Sequence, residues 1–192
     1  MLFTFLIVLA LAAAAEPPRT ELPRVQLRTD RGDIVIEVDT SRAPATAANF
    51  LRYVDEGFYN GGRFHRTVRM SNQPGQAVKI EVIQAGADPS RESRGFPPIA
   101  LERTSKTGLR HVNGTVSMAR DGPDTATSDF FVCIGDQPSL DQGGKRNPDG
   151  QGFGAFGRVV EGMDVVRAIQ GSAADGQHLT PPVPIRSARR LP

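Results

Sequence analysis

Between Arg24 and Leu191 the chain breaks into short runs of alternating character, and most breaks are marked by Gly, Pro, Asn or Asp. That punctuation constrains the fold more than any other feature, because strands of this length must find partners across turns. "RVQLRTDRGDIVIEVDT" holds two runs around Asp30-Arg31-Gly32-Asp33 and reads as a hairpin, with Val25, Leu27, Ile34, Ile36 and Val38 turned inward. Further strands are expected at "RFHRTV", "VKIEVIQAGA", Thr115 to Ala119, "DFFVCIG", "FGAFGRVVEG" and "PVPIRSARRLP". Helical spacing occurs in two places. In "APATAANFLRYVDEGF", Pro44 suits a first turn, Ala47, Phe50, Leu51 and Val54 share a face, and Gly57 supplies the stop. "MDVVRAIQG" is the second. "RMSNQPGQA", "LERTSKTGLRHVNG" and "DQPSLDQGGKRNPDGQG" read as loops or polar turns. Without regular βαβ alternation, about eight strands and two helices predict a mainly β fold: a closed eight-stranded antiparallel barrel capped by two α-helices.

The N-terminus carries a targeting pattern. "LFTFLIVLALAAAA", residues 2 to 15, is unbroken apolar and small sequence. It falls short of the roughly 20 residues of a membrane span. Ala13-Ala14-Ala15 fits an A-x-A cleavage site, although no Lys or Arg precedes the run. The expected organisation is a signal peptide at 1–15, a flexible lead-in at 16–23 and one domain at 24–192. The mature chain would work in the periplasm or outside the cell as a monomer, free of the membrane; an uncleaved anchor is the alternative.

Several chemistries find little support. The 23 Lys and Arg nearly balance 21 Asp and Glu, and the densest basic stretch, "IRSARR", reads as a solvated strand, so nucleic acid is not an expected partner. A single cysteine, Cys133, rules out an intramolecular disulfide and a cysteine zinc cluster. His65, His111 and His178 lack metal-ligand spacing, so no metal is expected. "GFGAFG" matches G-x-G-x-x-G through Gly152, Gly154 and Gly157, but a polar loop precedes it and a strand follows, the wrong setting for a dinucleotide. No cofactor is expected. Ser128-Asp129 lacks a nucleophile elbow and reads as turn chemistry.

"RFHRTV" raises a sharper question, since alternation puts Arg66 on one face with Phe64 and Val68. The ordered set "RFHRTV", "VIQAGAD", "VSMARDGPDTATSDFFVCIG", "PSLD" and "FGRVVEGMDVV" resembles the cyclophilins, the peptidyl-prolyl cis-trans isomerases, and bacterial members most closely. The resemblance implies the same barrel, a cofactor-independent isomerase, and proline-containing peptides as substrate. It assigns Arg66 as the catalytic residue and Gln84 as its neighbour. Phe131 becomes the floor and Leu140 the wall of a proline pocket. Ala119 and Arg120 would present backbone to the flanking peptide. Val82, Asp129 and Phe153 stand at pocket positions where members usually carry Met, Gln and His or Tyr. Glu81 stands where they usually carry Phe, so a smaller, more polar pocket is expected. Ser139 replaces a Trp, and extra sequence lies around Met70 to Lys79. With the signal, this implies an isomerase for unfolded exported proteins; the alternative is a binding module or chaperone for proline segments with little or no catalysis.

Overall fold

The computed structural model describes residues 21–192; the expected signal peptide and most of the lead-in lie outside them. The chain runs β1 (Arg24–Thr29), β2 (Gly32–Val38), α1 (Pro44–Asp55), β3 (Arg63–Val68), β4 (Val82–Gly86), α2 (Thr104–Thr107), β5 (Thr115–Met118), β6 (Phe130–Cys133), β7 (Gly154–Glu161), α3 (Met163–Gln170), β8 (Ala174–Asp175) and β9 (His178–Arg190). Short 3₁₀ segments lie at Pro89–Arg94 and Pro138–Leu140.

Strand order is β1-β2-β7-β5-β6-β4-β3-β9, and β1 pairs with β9 to close the ring. Every pairing is antiparallel. The eight-stranded barrel matches the expectation from the sequence. Two small elements go beyond it: the two-residue β8, which hairpins onto β9, and α2, a single turn in the stretch read as polar turn. Four residues of Thr, Ser and Lys carry too little periodicity to announce a helix.

The β1–β2 hairpin turns at Asp30-Arg31, and all five of its predicted core residues are fully buried. Pro44 opens α1, where its missing N–H costs nothing. Ala47, Phe50, Leu51 and Val54 from α1 join Val166 and Ile169 from α3 in the interior cluster.

Strand alternation divides the apolar residues between two faces. In β6, Phe130 and Val132 fill the interior, whereas Phe131 and Cys133 belong to a second cluster with Val68, Ile80, Val82 and Leu140. In β4, Ile83 and Ala85 face inward and Val82 joins that second cluster. The adjacent phenylalanines therefore serve two different surfaces.

One expectation from alternation fails. Phe64 lies in the interior cluster and Val68 in the outer one, so they do not share a face. The register against both β4 and β9 shifts between Phe64 and Arg66, leaving His65 as the extra residue of a bulge. That residue flips the parity, so Arg66 leaves the strand toward the outer cavity instead of the core.

Gly157 sits inside β7, and a Cβ there would lie 2.5 Å from the Glu37 carbonyl oxygen. The strand continues to Glu161 before α3 begins. Close backbone approach, not a phosphate, accounts for this glycine.

Candidate active site

Strands β3, β4, β6 and the segments around Ala119 and Leu140 surround a cavity of about 500 Å³ on the outer face of the barrel. Arg66, Val82, Gln84, Ala119, Arg120, Asp129, Phe131, Leu140 and Phe153 all line it. The nine residues singled out in the sequence thus meet in one place.

Arg66 stands opposite Gln84 in the β3–β4 ladder, which brings the two side chains together. Arg66 Nη1 donates to Gln84 Oε1 at 3.0 Å. Its Nε and Nη2 donate to Gln177 Oε1 at 3.0 and 2.6 Å. Gln84 Nε2 in turn donates to Asp129 Oδ2 at 3.0 Å, which turns the amide oxygen toward the arginine. His65 Nε2 lies 3.5 Å from the same carboxylate oxygen. Burial, and then the charge of Arg146, hold Arg66 below the ordinary guanidinium value. A guanidinium stays protonated under such a shift. Three of its five N–H groups are engaged by glutamines, so two remain for a ligand.

The apolar wall is made of Phe131, Val82, Leu140 and Ile80, flanked by Ala119 and Phe153. Phe153 meets Phe131 edge to face at 5.2 Å. Beneath the floor, His111 stacks on Phe131 with an interplanar angle of 16°. His111 Nδ1 is 2.8 Å from Asp141 Oδ1, and its Nε2 is 3.0 Å from Ser117 Oγ. Burial pushes Asp141 up, but hydrogen bonds from the His111 ring and backbone outweigh it and leave its pKa below the usual carboxylate value. Serine, histidine and aspartate here are all buried and cannot meet a substrate, so the trio is a brace for the floor rather than a nucleophile.

Two positions depart from expectation. Glu81 does not line the cavity; its Oε1 accepts from Gln170 Nε2 of α3 at 3.2 Å. Ile80 takes the wall instead, so Glu81 does not make the pocket polar. The sequence held the clue, since Ile80 alternates in phase with Val82 and Gln84, whereas Glu81 is out of phase. Val78 and Ile80 also precede the strand, which starts at Val82. The side chain of Gln73 stands in for a ladder partner at Ile80, donating to its carbonyl at 2.8 Å and accepting from its N–H at 3.1 Å. Arg120 also acts through its side chain, not only its backbone. Nη1 and Nη2 clasp Asp149 at 2.8 and 3.0 Å, and Nε donates to the Gly152 carbonyl at 2.8 Å.

Sequence reasoning missed Gln177 and Arg146. Gln177 sits in the β8–β9 turn, 111 positions from Arg66, with nothing local to mark it. Arg146 comes from the long Gly/Pro/Asp loop and lines the same cavity.

These features agree with comparisons to known proteins. The family described as cyclophilin type peptidyl-prolyl cis-trans isomerase/CLD matches residues 24–190, and the chain belongs to that family. A peptidyl-prolyl cis-trans isomerase of Streptomyces antibioticus is 38% identical over 176 residues, covering 87% of this chain and 98% of that one. Peptidyl-prolyl cis-trans isomerase B of Escherichia coli K12 is 34% identical over 157 residues, covering 80% and 89%. Among solved structures, a cyclophilin type isomerase of Cryptosporidium parvum superposes with a TM-score of 0.72 at 20% identity, covering 89% of this chain and 98% of that one. The same protein, crystallised in the presence of the dipeptide Ala-Pro, superposes with a TM-score of 0.70.

Proposed function

We propose that this protein accelerates cis-trans exchange of X-Pro bonds in proteins leaving the cytoplasm. The barrier to that rotation is about 18–20 kcal/mol, because the amide C–N bond has partial double-bond character. No bond breaks, so binding the twisted amide more tightly than either planar isomer is sufficient. As the amide twists, its nitrogen pyramidalises and gains an accepting lone pair. The carrying observation is the Arg66 guanidinium, held by Gln84 and Gln177 beside an apolar wall. Its two free N–H groups have the right character to meet that nitrogen and the proline carbonyl. Phe131, Leu140, Val82 and Ile80 grip the ring, and the backbone at Ala119 and Arg120 holds the flanking peptide. Asp129 positions Gln84 and thereby Arg66.

Cis-to-trans exchange of a short X-Pro peptide, followed by NMR or a protease-coupled assay, tests the reading. Arg66→Ala should lower kcat/KM by about 10²-fold, the scale for losing one aimed donor. Its circular dichroism spectrum should remain that of the wild type. Full turnover in the variant refutes the role given to Arg66, and none in the wild type refutes the isomerase reading. The second outcome, with Pro-peptide binding retained, is what a binding module would show.

Export rests on residues 2–15 and Ala13-Ala14-Ala15. Fractionation of producing cells, with N-terminal sequencing of the product, should place a monomer beginning near Glu16 in the periplasm or medium. A cytoplasmic chain retaining Met1 overturns that part alone.

A further inference from the structure

Two of the three arginines that line the cavity have no ion-pair partner among the described residues. Arg66 and Arg146 both line it, and no carboxylate among the described residues lies within ion-pair distance of either. Arg120, the third arginine of the lining, is neutralised by Asp149. The acids of the lining are Asp121 and Asp129, and the Gln84 amide bridges Asp129 to Arg66, so the two charges do not touch.

The structure holds Arg146 firmly. Its Nη1 donates to the Val78 carbonyl at 2.7 Å, to Gln73 Oε1 at 3.1 Å and to Gln76 Oε1 at 3.4 Å. Gln73 is the same side chain that brackets the backbone of Ile80. The loop at 141–153 and the extra segment at 70–79 are therefore pinned together one amide away from the proline wall. All those bonds use Nη1. Among the described residues no buried side-chain nitrogen is left unpartnered, so the Nε and Nη2 of Arg146, which have no partner, are open to solvent. Burial holds Arg146 below its ordinary pKa, and its charge presses on Arg66 in the same direction. An added anion would relieve both.

We infer that Arg146 is a specificity-determining residue that selects X-Pro substrates carrying an acidic side chain, Asp or Glu, beside the proline. This rests on the isomerase reading above. A carboxylate flanking the ring would meet the exposed edge of the Arg146 guanidinium while the ring sits against Ile80 and Phe131. A lysine there would meet two arginines that no carboxylate pairs.

The test compares peptides that differ only in having Glu, Ala or Lys next to proline, with kcat/KM and equilibrium affinity both measured. The Glu peptide should exceed the Lys peptide by about tenfold at low salt, since attraction and repulsion both count. The ratio should shrink toward unity at 1 M salt, where the screening length is about 3 Å. Arg146→Gln should flatten the ratio, and Arg146→Lys, which keeps the charge, should retain most of it. If the loop shifts in Arg146→Gln, the wild-type ratio and its salt dependence still decide. Equal handling of Glu and Lys peptides by the wild type, or a ratio unchanged in Arg146→Gln, overturns the inference. Absent turnover on all three peptides would refute the isomerase reading instead, and the affinities would still report the charge preference.

Discussion

Gln177→Ala offers the sharpest test of how the arginine is held. The substitution removes the acceptor of two of the three hydrogen bonds on the Arg66 guanidinium, at 3.0 and 2.6 Å. Hydrogen bonds to charged groups contribute about 1.5–3 kcal/mol each when desolvated. Arg66 is only part-buried and water can replace some of the loss, so about 1–2 kcal/mol of orientation is the reasonable figure. At 1.36 kcal/mol per decade, kcat/KM should fall roughly 5- to 30-fold. The drop should appear mainly in kcat, because the apolar wall that grips the ring is untouched. A second element is lost as well, the bond from Gln177 Nε2 to the Asn72 carbonyl at 3.2 Å, which ties the extra segment to the β8–β9 turn. That tie is separable by a double-mutant cycle. In an Arg66→Ala background, Gln177→Ala should change the residual rate by less than about twofold, since its effect travels through the guanidinium. A variant as active as the wild type, or equal losses in both backgrounds, would show that Gln177 does not position Arg66.

Two other outcomes follow from the geometry. Ile80→Ala removes three carbons, about 2.4 kcal/mol at about 0.8 kcal/mol each, and should raise KM for X-Pro peptides by roughly 50-fold, whereas Glu81→Ala should leave KM within about twofold because that side chain faces α3. Steady-state kinetics on the two variants checks both, and the reverse order would restore the position assigned to Glu81 from the resemblance. Asp141 has a folded pKa below its unfolded 3.8, so its contribution is full above about pH 5 and lost as pH falls through 3.8 toward the folded value. Asn at this position should cost about 3 kcal/mol at pH 7, the scale for breaking a buried pair, and should flatten the acid limb of Tm against pH between 5 and 3; a wild-type acid limb in Asp141→Asn would refute the assignment.

The sequence made the barrel legible because its signal is local. The eight barrel strands announce themselves by short alternating or apolar runs and their turns by Gly, Pro or Asp, and the lack of regular βαβ alternation points to an antiparallel barrel. Cavity residues on strands were legible for the same reason, joined to the family resemblance. Gln177 and Arg146 were not, because both act from loops whose paths depend on distant partners. Nothing near Arg146 in the sequence indicates that Gln73 and Val78 will receive its N–H groups.

The bulge at His65 shows where parity arguments stop. Strict alternation would carry Arg66 to the same side as Phe64, inside a barrel filled by Phe50, Phe130 and Phe156. A guanidinium there would face a large desolvation cost with no carboxylate to offset it. One inserted residue turns Arg66 outward while Phe64 stays in the core and Val68 joins the outer wall. It also brings His65 to 3.5 Å from Asp129, the residue that orients Gln84. The irregularity that defeats the sequence pattern is therefore the feature that makes an arginine beside an apolar wall physically affordable, and since His65 is the unpaired residue, deleting it should leave a regular strand in which Arg66 directly follows Phe64 and still faces the cavity; a structure of that variant with Arg66 in the core would refute the bulge reading.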